Sequence, residues 1–217
     1  MDDKQIAEFY KEQLFLQYAR IGKCLSSERR LEILNILANG PKAVENLAHI
    51  SGMNVANVSR HLQILLDANL VRFSKKGTYV IYSLANPLVA EFMVSLWKLS
   101  ENQLSDVIRI KQDIEQHFNT VHTISKQEVL ERMNKGNFVV LDVRPRDEYE
   151  TEHIDGALSV PMEELDAYLD TVPDNTEMAT YCRGPYCVFT TQAVEKIQKR
   201  GFKAYRIEES VLEWRSS

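Results

Sequence analysis

The sequence is poor in cysteine (three among 217 residues), proline (six) and glycine (eight), and it has no long apolar run. Three cysteines cannot build a disulfide framework, so in a reducing compartment each is read as a free thiol, a ligand or a nucleophile. The shortage of glycine and proline, beside 44% hydrophobic residues, excludes disorder as the main state. The longest apolar stretches, such as 62–66 and 138–141, fall far below the roughly 18 residues of a membrane-spanning helix. The start Met1-Asp2-Asp3-Lys4-Gln5 lacks the basic end and apolar centre of a secretion signal, so a cytoplasmic protein with no membrane partner is expected. The length suits one large domain or two small ones, and no internal repeat is visible.

A net charge of -5 argues against a nucleic-acid partner only while it is taken as one number. Residues 1–119 carry 14 basic and 13 acidic side chains, and residues 120–217 carry 12 and 18. Within 46–90, Arg60, Arg72, Lys75 and Lys76 face Asp67 alone, and such clustering matters more for a phosphate-binding face than the total.

Apolar residues at helical spacing (Ile6, Phe9, Tyr10, Leu14, Tyr18, Ile21) predict a helix from Ile6 to about Leu25. Ser26 or Ser27 can cap a second helix carrying Leu31, Ile33, Leu34 and Leu37, stopped by Asn39-Gly40-Pro41. A short helix over 43–50 leads through the Ser51-Gly52 turn to a helix from Val55 to Ala68, capped by Asn54 and terminated by Asn69, with Val58, Leu62, Leu65 and Leu66 as its inner stripe. Residues 70–84 read as a β-hairpin turning at Lys75-Lys76-Gly77. One long helix is then expected from Pro87 to about Phe118, its apolar stripe (Leu88, Phe92, Leu96, Leu99, Val107, Ile110, Ile114, Phe118) too long for a small domain to cover, so that a partner chain is the expected cover.

After Asn119 the pattern alternates. Strands are expected over 138–143, 177–181 and 203–207, and helices over 162–169 and 189–200, which argues for a small α/β domain with a mainly parallel sheet. The expected architecture is thus two domains: 1–119, all-α-dominated with a β-hairpin, and 120–217, α/β.

Two helices joined by a tight turn and followed by a basic hairpin form a winged helix-turn-helix pattern, which suits a helix in the major groove and a wing along the phosphates. With the inner stripe turned away, Val55, Ala56, Asn57, Ser59, Arg60 and Gln63 face outward. Arg60 and Gln63 can reach base edges, Asn57 and Ser59 bases or phosphates, and Lys75 and Lys76 the backbone charge. The stretch Leu47 to Val71, with its Val58-Ser59-Arg60-His61-Leu62 core, closely resembles the recognition region of ArsR-family bacterial repressors. That resemblance covers roughly residues 10–100 and implies a homodimer, built on the first and last helices of the domain, on a palindromic double-stranded operator. A protein-contact role for the winged helix is the alternative.

The metal site of that family is not expected here, because Glu45-Asn46-Leu47-Ala48-His49-Ile50 contains no thiol pair and Glu101, Asp106, Glu115, His117 and His122 make no compact set at helical spacing. No cofactor is expected either. Cys24, between two helices, reads as a small packing residue.

The second informative segment is Tyr181-Cys182-Arg183-Gly184-Pro185-Tyr186-Cys187-Val188. A strand ends at Cys182 and a helix starts near Val188, so the loop turns backbone N–H groups and the helix's positive end onto one centre. Pro185 has no N–H, which leaves Arg183, Gly184, Tyr186, Cys187 and Val188 as donors. A thiolate at Cys182 would be stabilised there and reactive near neutral pH, which makes Cys182 the candidate nucleophile. Cys187 is either a resolving thiol or a half-buried thiol lining the loop.

This half resembles the rhodanese domain in three places: Leu141 to Pro161, with its Asp142-Val143-Arg144, Glu148-Tyr149 and His153-Ile154 elements; the Cys182 loop; and Val211-Leu212-Glu213-Trp214. The resemblance implies sulfurtransferase chemistry in which Cys182 takes a sulfane sulfur, holds it as a persulfide and passes it to a thiol acceptor. Arg144, Glu148 and His153 are read chiefly as scaffold. Glu152 stands where the family usually has glycine, and Glu209-Ser210 where it has Gly-Gly, so turns with positive φ would have to be made otherwise. Cys187 stands where thiosulfate-using members often have a basic residue, which speaks against thiosulfate as donor. Val188 replaces the arginine that related phosphatase loops need. The leading expectation is a regulator, a repressor by its resemblance, whose second domain senses or transfers reactive sulfur. The alternatives are a sulfurtransferase dimerised by its N-terminal half, and an idle docking module.

Overall fold

The computed structural model describes residues 2–117, 121–134, 136–184, 187–207 and 209–216. It forms two compact units, 1–90 and 91–217.

In the first unit, α1 (Asp3–Leu25) starts at a capping box in which Asp2 and Gln5 satisfy each other's backbone N–H groups. Ser27 is the N-cap residue of α2 (Glu28–Ala38), but its side chain makes no capping bond. The two-residue strand β1 (Lys42–Ala43) leads into α3 (Val44–Ser51), which ends on Gly52 in the left-handed region at φ 66°. Asn54 accepts from the Asn57 N–H at 2.8 Å and so opens α4 (Val55–Asp67). Ile33 and Leu34 of α2, Leu47 of α3, and Val58, Leu62 and Leu65 of α4 are completely buried, the expected stripe except for Leu66, which is only partly covered. Asn69, at φ 54°, ends the helix where the sequence places its terminator. The wing is β2 (Val71–Lys76) against β3 (Tyr79–Leu84), antiparallel, with β3 also pairing β1. Lys75 and Lys76 lie in β2, opposite Val80 and Tyr79, and not in the turn as expected. The turn is Gly77-Thr78, with Gly77 at φ 62°, a tight connection that needs no lysine backbone in it.

The long helix is two helices: α5 (Pro87–Gln103) and α6 (Ser105–His117). Phe118 lies outside the described residues. The Leu104 N–H still bonds to the Ser100 carbonyl, but its own carbonyl receives both the Val107 and Ile108 N–H groups and so restarts the chain as a new helix. Glu101 and Lys111 form an ion pair of 2.6 Å across the break. Ten residues of straight helix would separate them by about 15 Å, so the chain bends at Leu104.

In the second unit β4 (Thr123–Ile124), α7 (Lys126–Met133), β5 (Phe138–Asp142), α8 (Arg146–Thr151), β6 (Leu158–Ser159), α9 (Leu165–Leu169), β7 (Glu177–Tyr181), α10 (Val188–Lys199), β8 (Lys203–Ile207) and α11 (Val211–Ser216) follow in turn. The strands form one parallel sheet in the order β4-β8-β7-β5-β6. Side chains alternate between two cores. Val139, Leu141, Met178 and Ala204 join Leu165, Ala193, Val194 and Ile197 on one face, while Phe138, Val140, Ala179 and Ile207 join Val129, Ile154 and Val211 on the other. No helix among the described residues is long and apolar enough to cross a membrane.

Candidate functional site

From β5 the chain moves outward to β6, and from β7 it moves the other way to β8. The carboxyl ends of β5 and β7, paired at Asp142 and Tyr181, therefore flank a topological switch point, where open parallel sheets form their ligand crevices. Cys182 is the next residue. It is 2% exposed and belongs to the core face that α10 covers, whereas Tyr181 points into the opposite core.

Cys187, the N-cap residue of α10, is joined to Cys182 by a disulfide with the two Cα atoms 6.2 Å apart. The sequence left Cys187 open between a resolving thiol and a loop-lining one; the fold puts the two sulfurs together. Pro185 and Tyr186 lie outside the described residues, as does the Val188 side chain. Of the expected backbone donors, the Cys187 N–H instead closes a turn onto the Gly184 carbonyl at 3.1 Å. The Arg183 and Gly184 N–H groups enter no hydrogen bond among the described residues, and Val188 opens α10 with its helical end toward the loop. Gly184 sits at φ 132°, a backbone reserved for glycine, with the Ser210 side chain beside it, so the Glu209-Ser210 segment borders the loop.

Two buried ion pairs brace this end of the sheet. Asp142 and Arg144, both almost fully buried, are joined by bonds of 2.6–3.1 Å, and Arg144 Nη2 also donates to the Glu152 carbonyl at 2.6 Å. Burial and the neighbouring Asp142 charge and hydrogen bond hold the Tyr181 phenol well above its ordinary range, and its oxygen accepts from the Ile154 N–H at 3.1 Å. The second pair changes the reading of Glu148. Its fully buried carboxylate accepts from Arg183 Nε at 3.1 and 2.9 Å and from Nη2 at 2.6 Å, so Glu148 grips the loop itself as well as the scaffold. His153 is exposed; its ring stacks on Tyr149 at 3.9 Å between centroids, and Nδ1 meets the Tyr149 carbonyl. Glu152 is extended at φ -169°, and Glu209 and Ser210 have no positive φ, so none of the three replacements meets the turn requirement expected of it.

On α4, Asn57, Ser59, Arg60 and Gln63 are exposed, as are Lys75 and Lys76 on the wing. Gln63 Nε2 is held by Asp67 Oδ1 at 2.8 Å, which ties its amide to its own helix. Arg72 Nε donates to Ser83 Oγ across the wing at 3.2 Å, a fixed cation that counted in the charge of this region without being assigned to the surface. Cys24 is buried, its thiol faces the Ile64 carbonyl of α4 at 3.7 Å, and burial pushes it up.

The family model for bacterial regulatory proteins of the arsR family matches residues 27–72, and the rhodanese-like domain model matches 125–217. The HTH-type transcriptional regulator Rv0324 of Mycobacterium tuberculosis is 36% identical over 205 residues, 94% of this chain and 90% of that one. The chain belongs to the ArsR family of transcriptional regulators. It is a member with a rhodanese-like domain at its C-terminal end, and both expected domain types are present. The regulator is also similar to the homodimeric winged helix-turn-helix DNA-binding domain (fragment 1–100) of Mb0332 from Mycobacterium bovis, with 36% identity, 48% of this chain and 91% of that chain covered, and a TM-score of 0.42. It is also 35% identical over 81 residues to the thiosulfate sulfurtransferase GlpE of Coxiella burnetii, 37% of this chain and 73% of that one.

Proposed function

We propose that this regulator binds operator DNA as a homodimer through α4 and the wing, and that its Cys182 loop converts reactive sulfur into a change of DNA binding. Support for the dimer comes from α1, where Phe9, Tyr10, Leu14, Phe15, Leu16 and Tyr18 are all exposed, an apolar surface that a second copy would cover. Arg60 and Gln63 address base edges, Asn57 and Ser59 bases or phosphates, and Lys75 and Lys76 the backbone.

The observation that carries the sulfur reading is the Cys182–Cys187 pair at a strand-to-helix junction. The Cys182 thiolate attacks the outer sulfur of a hydropersulfide RSSH; a bond forms between Cys182 Sγ and that sulfur, and RS⁻ leaves with the electron pair of the broken S–S bond. The Cys187 thiolate then attacks Cys182 Sγ, forming the disulfide and expelling HS⁻. Two thiols are oxidised and one sulfane sulfur is reduced to sulfide, so no further oxidant is needed. A coupling of about 1–3 kcal/mol between this reaction and the DNA-binding equilibrium suffices for a usable switch.

Reduced full-length protein is treated with polysulfide, weighed intact, and assayed by mobility shift on the DNA upstream of its own gene. Wild type gains one sulfur as the persulfide and then loses it as hydrogen sulfide when the bridge closes, ending two hydrogens lighter than the reduced protein; Cys187→Ser stops at the persulfide, and Cys182→Ser gains nothing there. If Cys182→Ser leaves both operator affinity and its response to polysulfide unchanged, the sensing role is wrong. Steady turnover with a sulfane donor in a protein that shows no salt-dependent operator binding would instead favour an enzyme dimerised by its first half.

A further inference from the structure

Between Cys182 and Val188 the sequence contains a single cationic side chain, Arg183. In a loop built to stabilise negative sulfur it would be the natural partner for an anionic donor, yet both its Nε and Nη2 are committed to Glu148. Glu148 is 0% exposed, and the Arg183 side chain is 15% exposed, so the pair lies beneath the loop with both charges withdrawn from solvent. The fork geometry is bidentate, which fixes the guanidinium in direction as well as in place. Glu148 itself is anchored on α8, whose first turn hangs from the Pro145 carbonyl just after the Asp142–Arg144 pair.

We infer that Glu148 is a positioning and selectivity residue for the Cys182 centre: it neutralises Arg183 and leaves a loop that takes sulfur from thiol-derived persulfides and polysulfides in preference to the doubly charged thiosulfate ion. The inference rests on the sulfur-accepting reading of Cys182. A neutral pair gives an incoming dianion no net attraction, while the backbone N–H groups of Arg183 and Gly184 still stabilise the single charge of a thiolate or a persulfide. Uncompensating either member shifts the balance in a known direction. Glu148→Gln leaves the guanidinium charge unopposed beside Cys182, which favours the thiolate and draws in thiosulfate. Arg183→Gln removes that cation from beside the carboxylate and does the reverse. The double variant Glu148→Gln/Arg183→Gln removes both charges and restores neutrality.

Two readouts on reduced full-length protein test this. One is the pH midpoint of Cys182 alkylation, followed at the residue level by mass spectrometry; the other is the rate of sulfur loading onto Cys182 from thiosulfate relative to glutathione persulfide. Glu148→Gln lowers the midpoint and raises the thiosulfate-to-persulfide ratio by about tenfold, the equivalent of one unit in a thiol pKa. Arg183→Gln raises the midpoint, and the double variant returns both readouts to near wild type. A purely structural clamp predicts instead that the double variant is as impaired as the singles, with no opposite shifts, and that result overturns the inference. If Glu148→Gln does not fold, the double variant and Arg183→Lys, which keeps the charge and loses the fork, carry the same comparison. The alkylation profile needs no sulfur donor. A wild type that never forms a Cys182 persulfide therefore defeats the proposed function, whereas unchanged midpoints across folded variants defeat the role of Glu148.

Discussion

The residues assigned to DNA are open to solvent: Asn57, Ser59, Arg60 and Gln63 are exposed along α4, and Lys75 and Lys76 line an exposed wing. The residues assigned to sulfur are withdrawn from solvent, with Cys182 2% exposed and flanked by two ion pairs whose carboxylates, Asp142 and Glu148, are wholly buried. A surface reader tolerates change in its side chains because they are exposed to solvent. The buried Cys182 loop does not, because the charges that hold it have no solvent to fall back on. Stability and recognition should therefore separate cleanly between the two units, and four measurements bear on that separation.

The largest effect is expected at Asp142→Ala. Removing one partner of a buried, hydrogen-bonded pair should cost about 3–5 kcal/mol, seen as an early urea transition of the second unit while that of the first keeps its midpoint. A parallel loss of operator affinity in the unmodified protein would break the contrast. Next is Arg60→Ala, which should weaken operator binding by about 1–3 kcal/mol and relax specificity at one base position without moving either unfolding transition. Asn54→Ala removes the side-chain acceptor that opens α4 and should cost the first unit about 1 kcal/mol, with sulfur loading at Cys182 unchanged.

The smallest effect is on acid sensitivity. His61 on α4 is held below its ordinary 6.5 by burial first and then by Arg30 and Arg60. Its neutral form is the one the fold favours, so its contribution is complete above pH 6.5 and is lost as pH falls below that value. Glu177 at the start of β7 is held below 4.5, chiefly by its hydrogen bond from Lys203, and its contribution persists until pH falls through the carboxylate range. Acid titration of the two unfolding transitions should thus weaken the first unit before the second, and His61→Gln should remove the early step. The same acid onset in both units would contradict it.

Much of this was legible in the sequence where the signal is local. Helical spacing marks α1, α2 and α4, Asn54 and Asn69 punctuate α4 at both ends, and the strand-to-helix junction around Cys182 is plain from residue type. The break at Leu104 was missed because the apolar stripe continues through it without glycine or proline; the usable cue was Ser105-Asp106, a helix-start pair inside an apparent helix. The lysines of the wing were read as turn because lysine is a poor strand former, although Gly77 alone supplies the positive φ. The grip of Glu148 on Arg183 joins residues 35 positions apart, and no periodicity encodes a pair brought together by two strands and a helix. The Asp142–Arg144 pair was visible as a motif but not as a buried charge, since burial there follows from the switch in strand order.

The strand leading to Cys182 places a phenol at 181 and a sulfur at 182 in adjacent positions, and the pleat sends them to opposite faces. Their chemical identities are therefore set by phase. A one-residue slip of β7 against its neighbours would carry the phenol under α10 and drop the thiol among Asp142 and Arg144, where a guanidinium already has its counter-ion. The five paired positions between β5 and β7 act as a key for the loop: they decide which side chain it receives at its first position.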